Sequence, residues 1–234
     1  MPSPAFPELP PGGVAPLMLD GPAGPIEVVV DTPEPGVAAR EVVAIVCHPL
    51  STEGGSLNNK VVTMAARALR ELGATTVRFN FRSVGKSAGD FDNGIAESED
   101  LRAVGDWVRR ERPGHALWLG GFSLGSFVAL RMAAAMQPDL LFSIAPPAGR
   151  AWDFDNMGLY TGPWFVIQGD ADEIVAAQDV HDWLDGLDRL RAPATRIRMP
   201  GASHFFHGRL MDLRQAVKDG VRAELPNAGL DPAA

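Results

Sequence analysis

The stretch that decides the fold of this chain of 234 residues is Ala116-Leu117-Trp118-Leu119-Gly120-Gly121-Phe122-Ser123-Leu124-Gly125-Ser126-Phe127-Val128-Ala129-Leu130. Its first half is an apolar run typical of a buried strand, and its second half has the small-residue pattern of a helix. Because no linker separates the halves, the chain must turn sharply at Ser123, between Gly121 and Gly125. Gly-x-Ser-x-Gly between a strand and a helix is the pattern of a nucleophile elbow.

The two glycines of this motif indicate a close backbone approach. Side chains at positions 121 and 125 would collide with the neighbouring strand and helix, so we expect that only hydrogen fits there. The N–H of Leu124 follows the serine near the start of the helix, where partial positive charge gathers, and is expected to stabilise an oxyanion. The alternative is an ordinary glycine-rich turn, since the pattern also occurs by chance. A base and an acid elsewhere in the sequence are needed to decide between a nucleophile elbow and an ordinary turn.

Apolar runs and amphipathic patterns alternate along the rest of the chain. Two short β-type runs, Val14 to Asp20 and Ile26 to Asp31, predict an antiparallel hairpin at a sheet edge. Further strands are predicted at Val42 to Cys47, Thr76 to Phe81, Leu140 to Ala145, Trp164 to Gln168 and Thr195 to Met199. Helices are predicted around Val61 to Leu72, from a capping Ser98 to Val108, around Val180 to Leu190, and around Leu210 to Val221. This alternation predicts an α/β fold with a mostly parallel sheet, helices on both faces, and function at its carboxyl edge.

Composition restricts the domain organisation and the partners. A hydrophobic content of 46% is sufficient for one large core, so we predict a flexible proline-rich tail over residues 1–12 and a single domain over 13–234. The net charge of -8 disfavours nucleic acid and anionic membranes as partners. One cysteine excludes an intrachain disulfide. The first residues lack the basic and apolar regions of a signal peptide and no apolar run reaches transmembrane length, so we expect neither kind of segment. We expect a cytoplasmic monomer or homodimer that acts on a small molecule.

Two loops at the expected sheet edge offer an acid and a base. Gln168-Gly169-Asp170-Ala171-Asp172-Glu173 leaves a buried strand, and Gly201-Ala202-Ser203-His204-Phe205-Phe206-His207 follows the last strand. A serine is a poor nucleophile until an imidazole takes its proton, and a carboxylate must hold that imidazole in one tautomer. We therefore predict His204 as the base and Asp172 as the acid. The open alternatives are His207 as the base and Asp170 or Glu173 as the acid.

A second oxyanion donor is expected from the loop after the strand that ends at Cys47. Pro49 has no N–H, so the first backbone donor beyond His48 is that of Leu50. We expect His48 to brace this loop rather than to take part in the chemistry.

The sequence also offers cations and two histidines near the expected site. Arg82, Lys86 and Arg150 could bring positive charge to the mouth of the site, with solvated or loop-bracing roles as the default. His204 and His207 lack a glutamate or cysteine partner at ligand spacing, so neither a metal nor another cofactor is expected.

With these residues in place, the chain resembles the α/β-hydrolase superfamily, and within it the small cap-less bacterial hydrolases. The resemblance covers the chain from about Val42 to the helix after His207. Its motifs are His48-Pro49-Leu50 with Gly54-Gly55 and Asn59-Lys60, Arg78-Phe79-Asn80-Phe81-Arg82-Ser83-Val84-Gly85, Gly121-Phe122-Ser123-Leu124-Gly125, Gly169-Asp170-Ala171-Asp172 with Ile174-Val175, and Ser203-His204-Phe205-Phe206. The resemblance implies a triad of Ser123, Asp172 and His204, with Leu50 and Leu124 as the oxyanion donors.

The resemblance also guides the expected substrate. Relatives with lids insert them where this chain has only Pro146 to Pro163, which is too short for a helical cap, so we expect a shallow, open pocket. Hydrolysis of short-acyl carboxylic esters through an acyl-enzyme is the expected reaction. A peptidase, an aminoacyl-ester hydrolase, a thioesterase or a non-catalytic binding protein is the alternative, whereas dienelactone hydrolases usually have cysteine at position 123. Four side chains of this connector could line the pocket or pack in the core: Trp152, Phe154, Met157 and Tyr160.

Overall fold

A computed structural model describes residues 3–154, 157–189 and 193–226. Within these residues the strands are β1 (Val14–Gly21), β2 (Gly24–Asp31), β3 (Val42–Cys47), β4 (Thr75–Phe79), β5 (Ala116–Phe122), β6 (Leu140–Ile144), β7 (Trp164–Gly169) and β8 (Thr195–Met199). The helices are α1 (Lys60–Arg70), α2 (Ala96–Glu111), α3 (Leu124–Met136), α4 (Ala177–Arg189) and α5 (Leu210–Glu224). None of these helices is long and apolar enough to cross a bilayer. The first two residues of the predicted tail, Leu190 of a predicted helix and residues 227–234 of the predicted domain lie outside the described residues.

All the described strands belong to one sheet, in the order β1-β2-β4-β3-β5-β6-β7-β8. The hairpin β1–β2 is antiparallel, with Gly21 opposite Gly24, and β2 is also antiparallel to β4. The remaining neighbours are parallel. The predicted α/β-hydrolase fold, with an antiparallel N-terminal hairpin and helices on both faces, is therefore confirmed. The parallel strands bring the carboxyl ends of β5, β7 and β8 to the same edge.

The central strand β3 explains why the strands read as continuous apolar runs. All of its residues are buried. They alternate between two cores, one beneath α2, α3 and α4 and the other beneath α1 and α5: Val43, Ile45 and Cys47 in the first, Val42, Ala44 and Val46 in the second. A strand covered on both faces has no wet side, so it cannot show polar alternation.

Helix α2 begins two residues before its predicted cap. It starts at Ala96, and the hydroxyl of Ser98 donates to the carbonyl of Gly94 at 2.8 Å. The buried carboxylate of Glu97 instead accepts the backbone N–H groups of Asp92, at 2.9 Å, and Gly94, at 2.7 Å. The prediction of Ser98 as the cap was wrong because this acid in the first turn binds the donors of the preceding loop.

The proline-rich N-terminal segment packs on the fold. Phe6 is 7% exposed and stacks on Trp107, with the ring centroids 4.9 Å apart. The indole N–H of Trp107 donates to the carbonyl of Pro4 at 2.8 Å, and the guanidinium of Arg112 lies 4.5 Å from the Phe6 ring centroid. These contacts differ from the flexible tail that the proline content predicts, because an aromatic side chain joins this segment to the core. The single domain over 13–234 stays a prediction.

Candidate active site

Ser123 occupies a strained turn between β5 and α3. Its φ is 52° and its ψ is -121°, a combination that residues with a side chain rarely adopt. Its N–H donates to the carbonyl of Ile144 in β6 at 2.9 Å, and its carbonyl accepts the N–H and the hydroxyl of Ser126, at 2.9 and 2.7 Å. Hydrogen bonds on both sides thus hold the turn, and they place the serine at the carboxyl edge of the sheet.

Gly121 and Gly125 allow the backbones around this turn to meet. A Cβ on Gly121 would lie 2.6 Å from the carbonyl carbon of Gly125. A Cβ on Gly125 would lie 2.4 Å from the carbonyl oxygen of Cys47 and 2.5 Å from that of His48. The predicted collision is confirmed, and its partners are the turn itself and the backbone at the end of β3.

Three side chains from three strand ends join in a continuous series of hydrogen bonds. Ser123 Oγ lies 3.1 Å from His204 Nε2, and His204 Nδ1 lies 2.8 Å from Asp172 Oδ2. Because an ionised carboxylate only accepts, Nδ1 carries the hydrogen and Nε2 faces the serine as an acceptor. The predicted nucleophile, base and acid are thus within proton-transfer reach. His207, the alternative base, is exposed and lies outside this series.

The side chain of Asp172 is 0% exposed, but its two oxygens accept hydrogen bonds from four groups. Oδ1 accepts the N–H groups of Ile174, at 2.9 Å, and Val175, at 2.7 Å, and Oδ2 accepts from His204 and from the amide of Gln168, at 3.0 Å. Burial acts to raise the pKa of Asp172, but the bonds from His204, Val175 and Ile174 outweigh it and hold the pKa below its usual value. The sequence patterns do not predict a role for Gln168, although a polar residue inside an apolar strand is a signal.

The two alternative acids hold the loop that carries the histidine. Glu173 Oε2 accepts the backbone N–H of His204 at 3.1 Å. Asp170 Oδ1 accepts the backbone N–H of Gly201 at 2.5 Å. Of the three acids in this loop, Asp172 contacts the imidazole, so the geometry favours the predicted assignment.

The loop after β3 is braced by His48, which is fully buried. Its Nδ1 donates to the carbonyl of Pro49 at 2.6 Å, and its Nε2 accepts the N–H of Phe81 at 3.0 Å. Burial lowers the pKa of His48 to about 4, although the bond to Pro49 acts in the opposite direction. Within the described part of the chain, neither the N–H of Leu50 nor that of Leu124 donates to a protein acceptor.

A cavity of about 350 Å³ opens beside Ser123. Its apolar wall consists of Pro49, Leu50, Pro147, Trp152, Ile174, Val175 and Phe205. Its other polar and charged lining residues are Glu53, Asn59, Arg150, Glu173 and His204. Of the four connector side chains named above, Trp152 lines this cavity and also packs against the core. Phe154, Met157 and Tyr160 pack on the core, as the alternative interpretation holds.

The three candidate cations occupy different environments. Arg150 lines the cavity, and its Nη1 donates to the carbonyl of Ile174 at 3.1 Å. Arg82 is buried and makes a bidentate ion pair with Asp100, at 2.8 and 3.0 Å, so its role is to brace a loop. Lys86 is exposed. Among the residues that the structure describes, no group of three or more His, Cys, Asp or Glu side chains is placed to hold a metal ion.

Similar proteins cover most of this chain. The structure of XC6422 from Xanthomonas campestris, described as a member of the α/β serine hydrolases without lid, is 62% identical, covers 96% of this chain and 99% of its own, and superposes with a TM-score of 0.89. An α/β serine hydrolase homologue from Coxiella burnetii is 41% identical over 87% of this chain and 95% of its own, with a TM-score of 0.81. The uncharacterized protein RP471 of Rickettsia prowazekii (strain Madrid E) is 33% identical in an alignment of 213 residues, with 87% of each chain covered.

No family model matches the sequence. Identity and coverage at the level of the first two structures, together with the shared fold, are sufficient to assign the family. The chain is a hydrolase and belongs to the α/β serine hydrolases without a lid.

Proposed function

We propose that this chain hydrolyses carboxylic esters with short acyl groups, with Ser123 as nucleophile, His204 as base and Asp172 as orienting acid. The observation that carries the proposal is the hydrogen-bonded series from Ser123 Oγ through His204 to Asp172, at the wall of a cavity. Geometry of this kind is what activation of a serine hydroxyl requires.

The reaction proceeds in two halves. Ser123 Oγ attacks the ester carbonyl while His204 Nε2 takes its proton, and Asp172 stabilises the resulting imidazolium. The imidazolium then gives that proton to the leaving alkoxide, so the alcohol departs and an acyl-serine remains. Water attacks this ester with His204 again as the base, which releases the acid and restores the hydroxyl of Ser123.

The N–H groups of Leu50 and Leu124 are the proposed donors to the oxyanion. Leu124 is the first residue of α3, so its N–H lies at the positive end of a helix. Leu50 lines the cavity on the side of β3. Their lack of a protein acceptor supports this assignment. One such donor is typically worth about 10²–10³ in rate.

The size of the cavity supports a small substrate. Its volume of about 350 Å³ is near the lower end of the range for small-molecule sites. Leu50, Trp152 and Ile174 give it an apolar wall that suits a short acyl chain. A long acyl chain would leave most of its methylene groups in water, where they gain nothing from burial.

The test is a series of p-nitrophenyl esters from acetate through butyrate and octanoate to laurate, measured beside thioester and aminoacyl-amide panels. We expect kcat/KM to be highest at acetate or butyrate, and Ser123→Ala to reduce turnover to the background rate. A steady rise toward laurate would contradict the short-acyl preference. A higher kcat/KM on thioesters or amides would replace the ester assignment.

A further inference from the structure

Gln168, the fifth residue of β7, directs its amide at the acid. It is 2% exposed and follows an apolar run in its strand. Its Nε2 lies 3.0 Å from Asp172 Oδ2, 3.2 Å from the carbonyl oxygen of Gly169 and 3.4 Å from that of Val175. All three partners are acceptors, so the nitrogen, not the oxygen, of the amide must face Asp172.

The oxygen of the same amide has no hydrogen-bond partner. Gln168 Oε1 is buried, and no donor among the described residues reaches it. A buried acceptor without a donor destabilises a fold, and an apolar side chain of similar length would avoid this penalty. Stability therefore does not explain a glutamine at this position, whereas the contact of its nitrogen with Asp172 does.

We propose that Gln168 is a positioning residue, whose amide shares Asp172 Oδ2 with His204 and thereby fixes the orientation and charge of the carboxylate that the imidazole meets. This inference rests on the proposed function. Two backbone donors already hold Oδ1, so the amide of Gln168 is the second donor that Oδ2 needs beside the imidazole. A carboxylate with all four acceptor positions filled cannot rotate without losing hydrogen bonds.

The amide also limits how strongly Asp172 attracts a proton on His204. A hydrogen bond from Gln168 withdraws part of the negative charge that Oδ2 would otherwise present to the imidazole. Without this bond the imidazolium form persists to higher pH, so less of the enzyme holds a free base at a given pH. A variant that lacks this amide should therefore have a lower kcat. Its affinity for the substrate should not change, because Gln168 is not among the residues that line the cavity.

Gln168→Met tests the proposal because methionine keeps the length of the side chain and removes its donors. On the best short-acyl ester we expect kcat to fall about tenfold, KM to change less than twofold, and the acidic limb of the pH–rate profile to move up by about half a unit. Ile167→Val is the matched control. Ile167 is buried, directly precedes Gln168 in β7 and packs in the core on the opposite face of the sheet, and the substitution removes one methyl group there. The control should lose stability and keep the profile unchanged.

A double-mutant cycle separates positioning from a purely structural role. If Gln168 acts through Asp172, Gln168→Met should change kcat less than twofold when Asp172→Asn is already present. A tenfold loss in both backgrounds, or a profile that stays in place, would overturn the proposal. Gln168→Glu serves if the methionine variant does not fold, because a second carboxyl group beside Asp172 should also move the acidic limb upward.

A measurement without turnover distinguishes this inference from the proposed function. The ring signals of His204 can be followed by NMR as the pH changes, in the wild type and in Gln168→Met. We expect the variant to hold the second ring proton to higher pH even if no ester in the panel is cleaved. Superimposable titrations would overturn the role of Gln168, whatever the substrate is.

Discussion

At the residue scale, the loop after β7 shows how neighbouring acids acquire different roles. Asp170 and Glu173 accept backbone N–H groups of the loop after β8, whereas Asp172 accepts the ring of His204. The first two fix the loop that carries the base, and the third fixes the base. The three acids thus differ in role because different groups donate to their carboxylates, and not because of their residue type.

The first prediction compares two of these acids. Asp172→Asn should lower kcat/KM on a short-acyl ester by about 10³–10⁴, because the amide can bind the imidazole only in the wrong tautomer. Asp170→Asn should lower it less than tenfold, since the oxygen of asparagine still accepts the N–H of Gly201. Steady-state kinetics of both variants measure this difference. A larger loss of kcat/KM in Asp170→Asn than in Asp172→Asn would show that Asp170 is the orienting acid.

The second prediction concerns His48 and pH. Its pKa is about 4 in the folded protein and about 6.5 in an unfolded chain, so the unfolded state binds more protons between these values. The stability that neutral His48 contributes is complete above pH 6.5 and is lost as the pH falls toward 4, by about 3 kcal/mol at most. The glutamine of His48→Gln cannot take up this proton. The difference in the free energy of unfolding between the wild type and this variant should therefore become smaller as the pH falls from 6.5 toward 4.

Urea unfolding of the wild type and of His48→Gln between pH 4 and 7 measures this difference. His207→Gln is the matched control, because this side chain is exposed and its replacement leaves the buried His48 in place, so the loss of stability toward pH 4 should remain. A constant deficit for His48→Gln would show that the buried ring is not the group that titrates.

The members of the hydrogen-bonded series could be predicted because serine, acid and histidine follow three predicted strands in a recognisable order. The contact of Gln168 with Asp172 could not be predicted, since it depends on how the three residues between them fold back. The burial of Glu97 is a similar case, because its partners lie in an irregular loop. Sequence patterns report periodic burial well and specific side-chain contacts poorly.

At the scale of elements, the turn from β5 to α3 depends on the contact of α3 with the end of β3. Gly125 makes this contact, and the backbone of Cys47 and His48 is its immediate neighbour. The same loop carries the proposed oxyanion donor Leu50, so the approach of helix and strand sets the separation of the two donors. A small change in this packing should therefore be measurable in the rate.

The third prediction uses two helical glycines. Gly125→Ala should destabilise the protein by about 2 kcal/mol and reduce kcat, because its Cβ would lie 2.4 Å from the carbonyl oxygen of Cys47. Gly186→Ala in α4 meets no atom within 4 Å and should stabilise the protein by up to about 1 kcal/mol. Thermal unfolding and ester kinetics test both. Equal effects at the two positions would contradict this account of the turn.

Most of the elements could be predicted, since continuous apolar runs and amphipathic faces mark them. The order of the strands is harder, because the antiparallel pairing of β2 with β4 leaves no mark in either strand alone. The start of α2 was misplaced for a related reason: Ser98 is a common capping residue, but Glu97 lies nearer the donors.

At the scale of the whole molecule, the N-terminal segment and the site lie at different places on the fold. Phe6 packs near the end of α2, against Trp107, whereas the site lies at the carboxyl edge of the sheet. We therefore expect the segment to contribute to stability and not to the chemistry. Its packing could not be predicted from proline content, because one aromatic side chain is a weak sequence signal.

The fourth prediction is that Phe6→Ala separates stability from activity. It should lower the free energy of unfolding by about 3 kcal/mol, since a buried ring is lost, and leave kcat/KM at 25 °C within twofold. Met211→Ala is the control, because this side chain is 56% exposed and should change the stability by less than about 0.5 kcal/mol. Chemical denaturation and ester kinetics measure both quantities. A large loss of kcat/KM in folded Phe6→Ala would connect this segment to the site.

The central claim, that Ser123 is an activated nucleophile, is tested most directly by reaction with a fluorophosphonate followed by peptide mass spectrometry. We predict one phosphonyl group per chain on Ser123, a matching loss of ester turnover, and no labelling of Ser123→Ala. A wild-type protein that stays unlabelled, or equal labelling of the alanine variant, would contradict the account.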